Sequence, residues 1–254
     1  MGKRGKTARL KRKPAPKFWP IHRKEKFWVV KPSSGSHSLH ECLPLTLVLR
    51  DVLCVAQTRK EAKTIIDQGK VQVDNKIRRS DDIPVGLMDV IALPDIDKYY
   101  RIMPSHKGLT LISISKEEAK TKLVRVEDKH TVKNGIQIEL HDGTNLLVKV
   151  ADPKNPQEVT YETFDTLKIT FPEKEVTQAL KTKEGNFAVI TGGKNIGKQG
   201  KIVEIEKVEA KKRRHALVVI EDQQGTRYQT ILDYVFSVGE AQPLITLQEA
   251  SPVV

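Results

Sequence analysis

The positive charge of this chain is concentrated at one end. Twelve of the first 31 residues are Lys or Arg and only Glu25 is acidic, so this segment carries +11 of the formal net charge of +12. Cations this dense repel one another in water, so the segment cannot build a core of its own and gains most from neutralising a polyanion. The remaining residues, 32 basic and 31 acidic among them, are close to neutral and must supply the folded domains.

Aromatic residues are interleaved with the cations of this N-terminal arm. Phe18, Trp19, Phe27 and Trp28 lie within it and include both Trp residues of the chain. Rings among cations are typical of an extended segment that places positive charge on phosphates while its rings stack on bases or fill crevices. We therefore expect an arm that is disordered alone and becomes ordered on RNA. A solubilising or targeting tail is the alternative that charge by itself leaves open.

The composition indicates several small domains in a reducing compartment. With 254 residues, 38% of them hydrophobic, the chain can form one to three modest cores. The best apolar stretch, 43–55, is interrupted by Arg50 and Asp51 and is shorter than the roughly 18 residues of a membrane helix. Two cysteines cannot form a disulfide framework, and no apolar signal core follows the N-terminal cations. We expect the chain to stay in the cytoplasm.

Apolar spacing after the linker at 31–36 predicts two helices. Pro44 suits the first turn of the first helix. Thr58 and Glu61 have the spacing of a capping box at the start of the second, and Gly69 suits its end because glycine readily adopts a left-handed conformation. The inner faces of the two helices would be formed by Leu45, Val48, Leu49, Val52 and Leu53 and by Ala62, Ile65 and Ile66.

A strand at 71–73, a turn at Asp74-Asn75 and a later strand at 90–93 complete a unit that resembles the alpha-L RNA-binding motif. Asn75 replaces the Gly that is usual in the motif, and Asn also tolerates positive φ. The resemblance implies an RNA-binding module at 43–105. It rests on Leu49-Arg50-x-x-Leu53-x-x-Ala56 and on Glu61-Ala62-x-x-x-Ile66-x-x-Gly69-x-Val71-x-Val73-Asp74-x-Lys76.

Seven cations and three acids lie between residues 59 and 79. In helical projection, Arg59, Lys60 and Lys63 point away from the apolar face of the second helix. A solvated helix face is the ordinary explanation of such a cluster, but the alpha-L resemblance favours RNA contact. The expected contacts are Arg59, Lys60, Lys63, Lys76, Arg78 and Arg79.

Residues 106–180 are predicted to form a structural β domain. Ser115 and Glu118 can cap a brief helical turn within it, and Asp142-Gly143 predicts a hairpin. Its acids are scattered, so no catalytic constellation is evident. Alternation predicts strands at 109–114, 123–126, 136–140 and 146–150.

The segment 189–203 has two interpretations. Gly192-x-x-x-x-Gly197-Lys198 reproduces the spacing of a Walker A phosphate-binding loop. Gln199, however, stands where a Ser or Thr must ligate magnesium, and residues 201–205 alternate like a strand instead of opening a helix. Without a helix N-terminus the loop would lack its anion-binding dipole, so nucleotide binding is disfavoured.

The same segment resembles the KOW motif of ribosomal proteins and elongation factors, through the spacing of Gly193, Gly197 and Gly200. Glycines there allow a tight loop to bring backbone amides and neighbouring lysines close to a phosphate backbone. The resemblance implies a small SH3-like barrel, and strands at 216–220, 228–232 and 235–238 would complete it. Lys211–Arg214 would lie on a loop between two strands, either touching RNA or exposed as a hairpin tip.

Metal and cofactor sites are not predicted. His37-x-x-His40-x-Cys42 has the form of a zinc half-site, yet no second ligand pair follows and Cys54 is expected to be buried on the first helix. No nucleophile elbow, paired carboxylates or dinucleotide fingerprint is present in the sequence. We expect no enzymatic activity.

Arm, alpha-L module, β domain and KOW motif follow in an order that resembles the small-subunit ribosomal protein four family of the archaeal and eukaryotic type. The opening Gly2-Lys3-Arg4-Gly5 adds to the likeness. We therefore expect a multi-domain α+β chain with an arm and linker at 1–42, an alpha-L module at 43–105, a central β domain at 106–180 and an SH3-like barrel at 181–254. The resemblance implies a structural rRNA-binding constituent of the small ribosomal subunit, monomeric beside other ribosomal proteins and without membrane or nucleotide cofactor.

Two other classes of protein remain as alternatives. RNA-modifying enzymes such as pseudouridine synthases also carry alpha-L modules, but they need a catalytic Asp in a sizeable domain and 106–180 is too short for one. The KOW motif alone is also typical of transcription elongation or chaperone factors. The candidate RNA-binding residues are Lys3, Arg4, Lys6, Arg9, Lys11, Arg12, Lys13, Lys17, Trp19, Arg23, Lys24, Trp28, Arg59, Lys60, Lys63, Lys76, Arg78, Arg79, Gly193, Lys194, Gly197, Lys198, Gly200, Lys211, Lys212, Arg213 and Arg214.

Overall fold

A computed structural model of the chain describes residues 9–133, 135–150, 161–206 and 213–247. Within these ranges the backbone forms three five-stranded antiparallel sheets, two small two-stranded sheets, two α-helices and several short 3-10 or π-helical turns. None of the described helices combines the length and the apolar character that crossing a membrane requires.

The N-terminal arm, from residue 9 onwards, packs against the folded protein. Its strands β1 (Leu10–Lys11) and β2 (Trp28–Val29) pair with each other. Between them, Trp19 is 3% exposed and its Nε1 donates to the carbonyl of Cys42 at 2.9 Å. The expectation of an arm that is disordered alone is therefore wrong for residues 9–31, because Trp19 and the apolar residues beside it join the core of the next module.

The first helix differs from a regular α-helix. After β3 (Cys42–Pro44), α1 (Leu45–Leu47) continues into a π-helical turn (Val48–Val52), in which the amide of Leu53 donates to the carbonyl of Val48 at 2.9 Å. Pro44 precedes the first turn instead of lying in it. The wider turn rotates the later apolar positions, so Leu45 and Val48 are buried while Val52 is only half-buried.

The second helix, α2 (Arg59–Asp67), has the predicted ends. The Thr58 hydroxyl accepts from the amide of Glu61, and the Glu61 carboxylate accepts from the amide of Thr58, which confirms the capping box. At the other end, Gly69 has φ +75°. The amides of Gly69 and Lys70 bond back to the carbonyls of Ile66 and Ile65, which is the hydrogen-bond pattern of a Schellman motif.

The sheet that follows extends beyond the expected module. Asp74 and Asn75 both have positive φ, 52° and 58°, as the predicted tight hairpin requires. The last two strands form a hairpin that spans the expected boundary between residues 105 and 106, so that division cuts through one sheet. The sheet, in the order β5-β4-β7-β8-β9, contains β4 (Gln72–Val73), β5 (Lys76–Ile77), β7 (Val90–Leu93), β8 (Lys98–Ser105) and β9 (Gly108–Ile114), and β6 (Pro84–Gly86) pairs with β3.

The central sheet is organised around one long strand. β10 (Thr121–Val132) is irregular between Val126 and Asp128, and its first half pairs with β13 while its second half pairs with β11. The predicted cap precedes it, because the amide of Glu118 donates to the Ser115 hydroxyl at 3.2 Å. The other strands are β11 (Gly135–Leu140), β12 (Asn145–Val148), β13 (Thr166–Thr170) and β14 (Glu175–Leu180).

The C-terminal sheet has the order β18-β17-β16-β15-β19. Among the described residues its edge strands β18 and β19 are not paired with each other, so the sheet is open where the expected SH3-like barrel would be closed. A strand follows the glycine loop where a Walker A motif requires a helix. The strands are β15 (Phe187–Ile190), β16 (Gln199–Glu206), β17 (Leu217–Glu221), β18 (Arg227–Ile231) and β19 (Val235–Gly239).

The three large sheets share one apolar cluster. Met103 and Ile112 from the first sheet, Leu123 from the second and Phe187 and Phe236 from the third are buried against one another. Arg125 on β10 adds polar links, since its Nη1 donates to the carbonyls of Asp233 and Val235 at 2.7 and 3.0 Å. The modules are therefore packed together instead of being joined only by linkers.

Candidate nucleic-acid interface

The outer face of α2 presents positive charge to solvent. Arg59, Lys60 and Lys63 are exposed, whereas Ala62 and Ile66 on the opposite face are buried. The amphipathic spacing that packs the helix therefore also projects its cations outwards. Arg59 remains 57% exposed although it forms an ion pair with Asp81 at 2.8 Å.

The hairpin after α2 extends this basic face. Lys76 and Arg79 are exposed. Arg78 is half-buried, and its Nε is buried with no hydrogen-bond partner among the described residues. Two of the three nearby acids are engaged within the protein, because Glu61 caps α2 and Asp74 binds a buried lysine. The positive charges that therefore remain exposed on this face are Lys60, Lys63, Lys76 and Arg79.

Three arm residues predicted to bind RNA are used inside the protein. Trp19 is buried, so it cannot stack on a base. Arg12 is 5% exposed and donates to the carbonyls of His22 and Trp28. Arg23 is half-buried, and its guanidinium donates to four carbonyls of residues 12–16. A guanidinium carries five donors in one plane, so it satisfies the carbonyls of an irregular segment.

The other arm residues predicted to bind RNA are exposed wherever the structure describes them. Lys3, Arg4 and Lys6 lie outside the described residues. Arg9, Lys11, Lys13, Lys17, Lys24 and Trp28 are exposed.

The glycines of the 191–200 loop serve contacts within the protein. A side chain at Gly197 would lie 2.9 Å from the Cα of Ser105, and one at Gly200 would lie 2.1 Å from the carbonyl oxygen of Glu221. Gly193, with φ +79°, lies against the ring of Tyr234. The amide of Gly197 donates to the carbonyl of Ile190 at 2.8 Å. Gly200 is also buried. The amide of Gly197 is thus already bonded and Gly200 is enclosed, so the lysines of the loop are better placed than these two glycines to meet a phosphate.

Cations of the C-terminal sheet remain on its surface. Lys194, Lys198 and Lys201 are exposed. Lys211 and Lys212 lie outside the described residues. Arg214 is exposed, and Arg213 forms an ion pair with Glu162 at 2.7 Å.

The turn between β8 and β9 is a basic element that sequence reasoning missed. His106 and Lys107 are exposed there. The turn contacts the glycine loop through Gly197, and Gly108 contacts Phe18 of the arm so closely that a side chain at this glycine would clash. The arm, this turn and the glycine loop therefore adjoin one another, which local sequence patterns do not reveal.

A buried lysine was also missed. Lys122 on β10 is 1% exposed, and its Nζ donates to three carboxylates: Asp74 at 2.7 Å, Asp89 at 2.6 Å and Asp142 at 3.0 Å. Asp89 also accepts from Nε2 of His37 at 2.9 Å. The Lys122 cluster, defined by these five residues, joins the linker, the first sheet and the central sheet.

The carboxylates of the Lys122 cluster stabilise the charged form of its lysine. Burial opposes the charged form of Lys122, but its three carboxylates outweigh this effect and raise its pKa above the usual value. Burial also opposes the ionisation of Asp142, yet the charge of Lys122 lowers its pKa to about 2. Burial lowers the pKa of His37, but Asp89 more than compensates, so that pKa is raised. The pKa of Asp74 is raised instead, because burial and the neighbouring charge of Asp89 outweigh its contact with Lys122. Lys122 and Asp142 are therefore charged at neutral pH.

His141 lies beside this cluster and stays neutral. Its Nδ1 accepts from the amide of Arg125 at 3.1 Å, and its Nε2 lies 3.2 Å from the carbonyl of Leu87, to which it donates. Protonation of Nδ1 would break the first of these bonds. Burial and the charge of Lys122 accordingly lower the pKa of His141 to about 3.

The residues of the His37-x-x-His40-x-Cys42 pattern lie in different surroundings. His37 binds Asp89, whereas His40 is exposed. Cys42 is buried, and burial raises the pKa of its thiol to about 12, so it is not the thiolate that zinc requires. Cys54 is exposed and lies beyond the first helix, contrary to expectation. Across the described ranges, no three His, Cys, Asp or Glu side chains are grouped as around a metal ion.

Comparison with protein families covers most of the chain. Residues 4–40 match the RS4NT domain, residues 51–91 the S4 domain and residues 96–176 the model described as ribosomal family S4e. Small ribosomal subunit protein eS4 of Staphylothermus marinus is 47% identical over 99% of this chain and 100% of that protein. The chain belongs to the ribosomal S4e family.

Other S4e proteins agree along the whole length. The eS4 protein of Methanocaldococcus jannaschii is 42% identical over 97% of this chain and 100% of that protein. A crystal structure of ribosomal protein S4e from Thermoplasma acidophilum superimposes with a TM-score of 0.64 at 29% identity, and covers 79% of this chain and 96% of that one. The S4 match confirms the alpha-L resemblance.

Proposed function

We propose that this S4e protein is a structural constituent of the small ribosomal subunit that binds and stabilises rRNA in support of translation, without enzymatic activity. The observation that carries the proposal is the outer face of α2, where Arg59, Lys60 and Lys63 are exposed above a buried apolar face. Residues Lys76 and Arg79 continue this face. Such contacts neutralise phosphates and recognise the shape of RNA more than its sequence.

A second basic surface completes the interface. It runs from Lys17 of the arm across His106 and Lys107 to Lys194 and Lys198 of the glycine loop, all of which are exposed. The C-terminal sheet acts here as a KOW-like module whose lysines, instead of its backbone amides, contact phosphate. Because the three sheets share a core and the Lys122 cluster joins two of them, both surfaces keep a fixed separation, which suits a structured RNA.

The partners follow from the same proposal. The protein acts as a monomer within the ribosome, in the cytoplasm, and contacts rRNA and neighbouring ribosomal proteins. It uses neither a nucleotide nor a metal cofactor.

The test measures affinity of the full chain for a small-subunit rRNA transcript over a series of KCl concentrations. Each phosphate contact contributes about one unit to the slope of log affinity against log salt. The double variant Lys60→Gln/Lys63→Gln should therefore weaken binding and make the slope shallower by about two. The matched control, Lys116→Gln/Lys183→Gln, removes the same charge from exposed positions outside both surfaces.

The outcomes separate specific surfaces from general charge. An unchanged slope in the control supports the proposal. Equal losses in both double variants would mean that net charge alone attracts RNA. No measurable binding of the unaltered chain at low salt, or turnover of unmodified rRNA by it, would overturn the proposed function.

A further inference from the structure

Two adjacent aromatic rings of the arm are exposed to solvent. Phe27 is 61% exposed and Trp28 is 47% exposed, and their ring centroids lie 4.8 Å apart with the planes almost perpendicular. Apolar rings normally leave water when a protein folds. Trp19 of the same arm did so, whereas these two neighbours did not. The aromatic pair of Phe27 and Trp28 is therefore available for contact with another molecule.

The backbone that carries this pair is held in place. The amide of Arg12 donates to the carbonyl of Phe27 at 3.0 Å, and its Nε donates to the carbonyl of Trp28 at 3.3 Å. Lys11 pairs with Trp28 in the β1–β2 sheet. Because Arg12 is itself buried, the pair projects from a fixed support. A ligand that binds there does not have to order the segment first.

Cations surround the rings. The Nζ of Lys11 lies 4.9 Å from the ring centroid of Phe27, and the guanidinium carbon of Arg9 lies 5.9 Å from that of Trp28. Lys26 is exposed next to the pair in the chain. Positive charge beside exposed rings matches a ligand that combines an anionic backbone with flat aromatic groups.

A cleft opens beside Trp28, between β2 and the start of α2. Its volume is about 400 Å³, within the range of about 300–1,000 Å³ that is usual for ligand pockets. Lys26 and Arg59 lie on its walls. Its two acids are neutralised, because Glu25 pairs with Arg12 at 3.5 Å and Asp51 with Arg50 at 2.6 Å. The cleft therefore joins the aromatic pair to the basic face of α2.

We propose that Trp28 and this cleft hold an unpaired nucleotide of RNA, with its base stacked on the indole ring and its phosphates beside Lys26 and Arg59. This site depends on the rRNA binding proposed above. It adds a preference of this part of the surface for one kind of RNA. In an RNA duplex both faces of every internal base are already stacked, so the site prefers a loop, bulge or single strand.

Tryptophan fluorescence can report on the site directly. Trp28 is the exposed one of two tryptophans, so in the full-length Trp19→Phe variant it is the sole indole. A single-stranded oligoadenylate of twelve nucleotides should quench this fluorescence on binding and protect it from acrylamide. An RNA duplex of twelve base pairs should bind with little quenching.

Affinity measurements supply the second readout. Removing an aromatic side chain abolishes the stacking of a base on it. Trp28→Ala should therefore weaken oligoadenylate binding about 5- to 150-fold. The salt dependence and the affinity for the duplex should stay unchanged. Trp28→Phe should retain most of the affinity. Leu147→Ala, which removes an apolar side chain of the central sheet that is 57% exposed, should have no effect.

Each outcome bears on one proposal. If the unaltered chain binds neither RNA, the proposed function fails. If it binds both but Trp28→Ala lowers the two affinities equally or changes neither, only the nucleotide site is overturned. Full RNA affinity of Trp28→Ala combined with loss of a neighbouring ribosomal protein from reconstituted subunits would also overturn it, since the pair would then be a protein contact.

Discussion

Replacing Lys122 by Met tests the Lys122 cluster most directly. The substitution keeps an unbranched apolar stem and removes the ammonium that binds three carboxylates at 2.6 to 3.0 Å. Asp89 is 2% exposed and Asp142 is 6% exposed, so water cannot replace the lost charge. Breaking a buried ion pair by removing one partner costs about 3–5 kcal/mol, and we expect a loss of that size at pH 7.

The pH dependence gives this prediction a specific signature. In the folded variant the carboxylates lose their cation, so their pKa values rise above those of the unfolded chain. Such groups destabilise the fold above their folded pKa, and the effect disappears as the pH falls and they become protonated. The unaltered protein shows the opposite trend, because Lys122 lowers the pKa of Asp142 to about 2. The difference between the two proteins should therefore shrink from pH 7 to pH 5.

Urea titration of the full chain measures these differences. Lys120→Met is the matched control, since Lys120 is exposed and lies two residues earlier, and it should change the free energy of unfolding by less than about 0.5 kcal/mol. Adding Asp142→Asn to Lys122→Met should recover part of the loss. A loss below about 1 kcal/mol for Lys122→Met, or one independent of pH, would refute the reasoning.

Three further perturbations test the structure elsewhere. In the folded protein the pKa of His141 is lowered to about 3, so between pH 7 and pH 5 a proton binds this side chain only in the unfolded chain. The free energy of unfolding should therefore fall by about 2 kcal/mol over this range on account of His141. Urea titrations should show a smaller fall in His141→Asn, which retains an acceptor for the Arg125 amide. Gly197→Ala should destabilise the protein more than Gly225→Ala, because both glycines have positive φ but only Gly197 abuts backbone; equal melting temperatures would contradict that contact. Thr58→Ala should lower the free energy of unfolding by about 1 kcal/mol, and Thr58→Ser should not.

Local chemistry made much of the fold predictable. The cap at Thr58, the left-handed Gly69 and the Asp74-Asn75 turn depend on residues within a few positions of one another, and all are confirmed. Alternation likewise located β10, β11 and β12 of the central sheet and β16 to β19 of the C-terminal sheet, but it did not identify β13 or β14. The π-helical turn at 48–52 was not predicted, because its apolar spacing barely differs from that of an α-helix.

The site was less predictable because exposure depends on distant partners. Lys60 and Lys63 follow from helical projection, and they are exposed as expected. Arg23 and Trp19 were assigned to RNA by composition, yet the carbonyls of the irregular arm and the core of the neighbouring module bind them. A count of charges cannot distinguish a cation that faces solvent from one that satisfies backbone.

By itself the sequence determined the concentration of positive charge in the arm, the order of the modules and the ends of α2, because these properties arise from neighbouring residues. Only the tertiary structure decided which cations remain outside and how the modules are joined. Lys122 shows the reason: its three carboxylates come from turns 20 to 48 residues away. No local sequence pattern identifies Lys122 as buried, because its charge is stable in the protein interior only after folding brings those turns together.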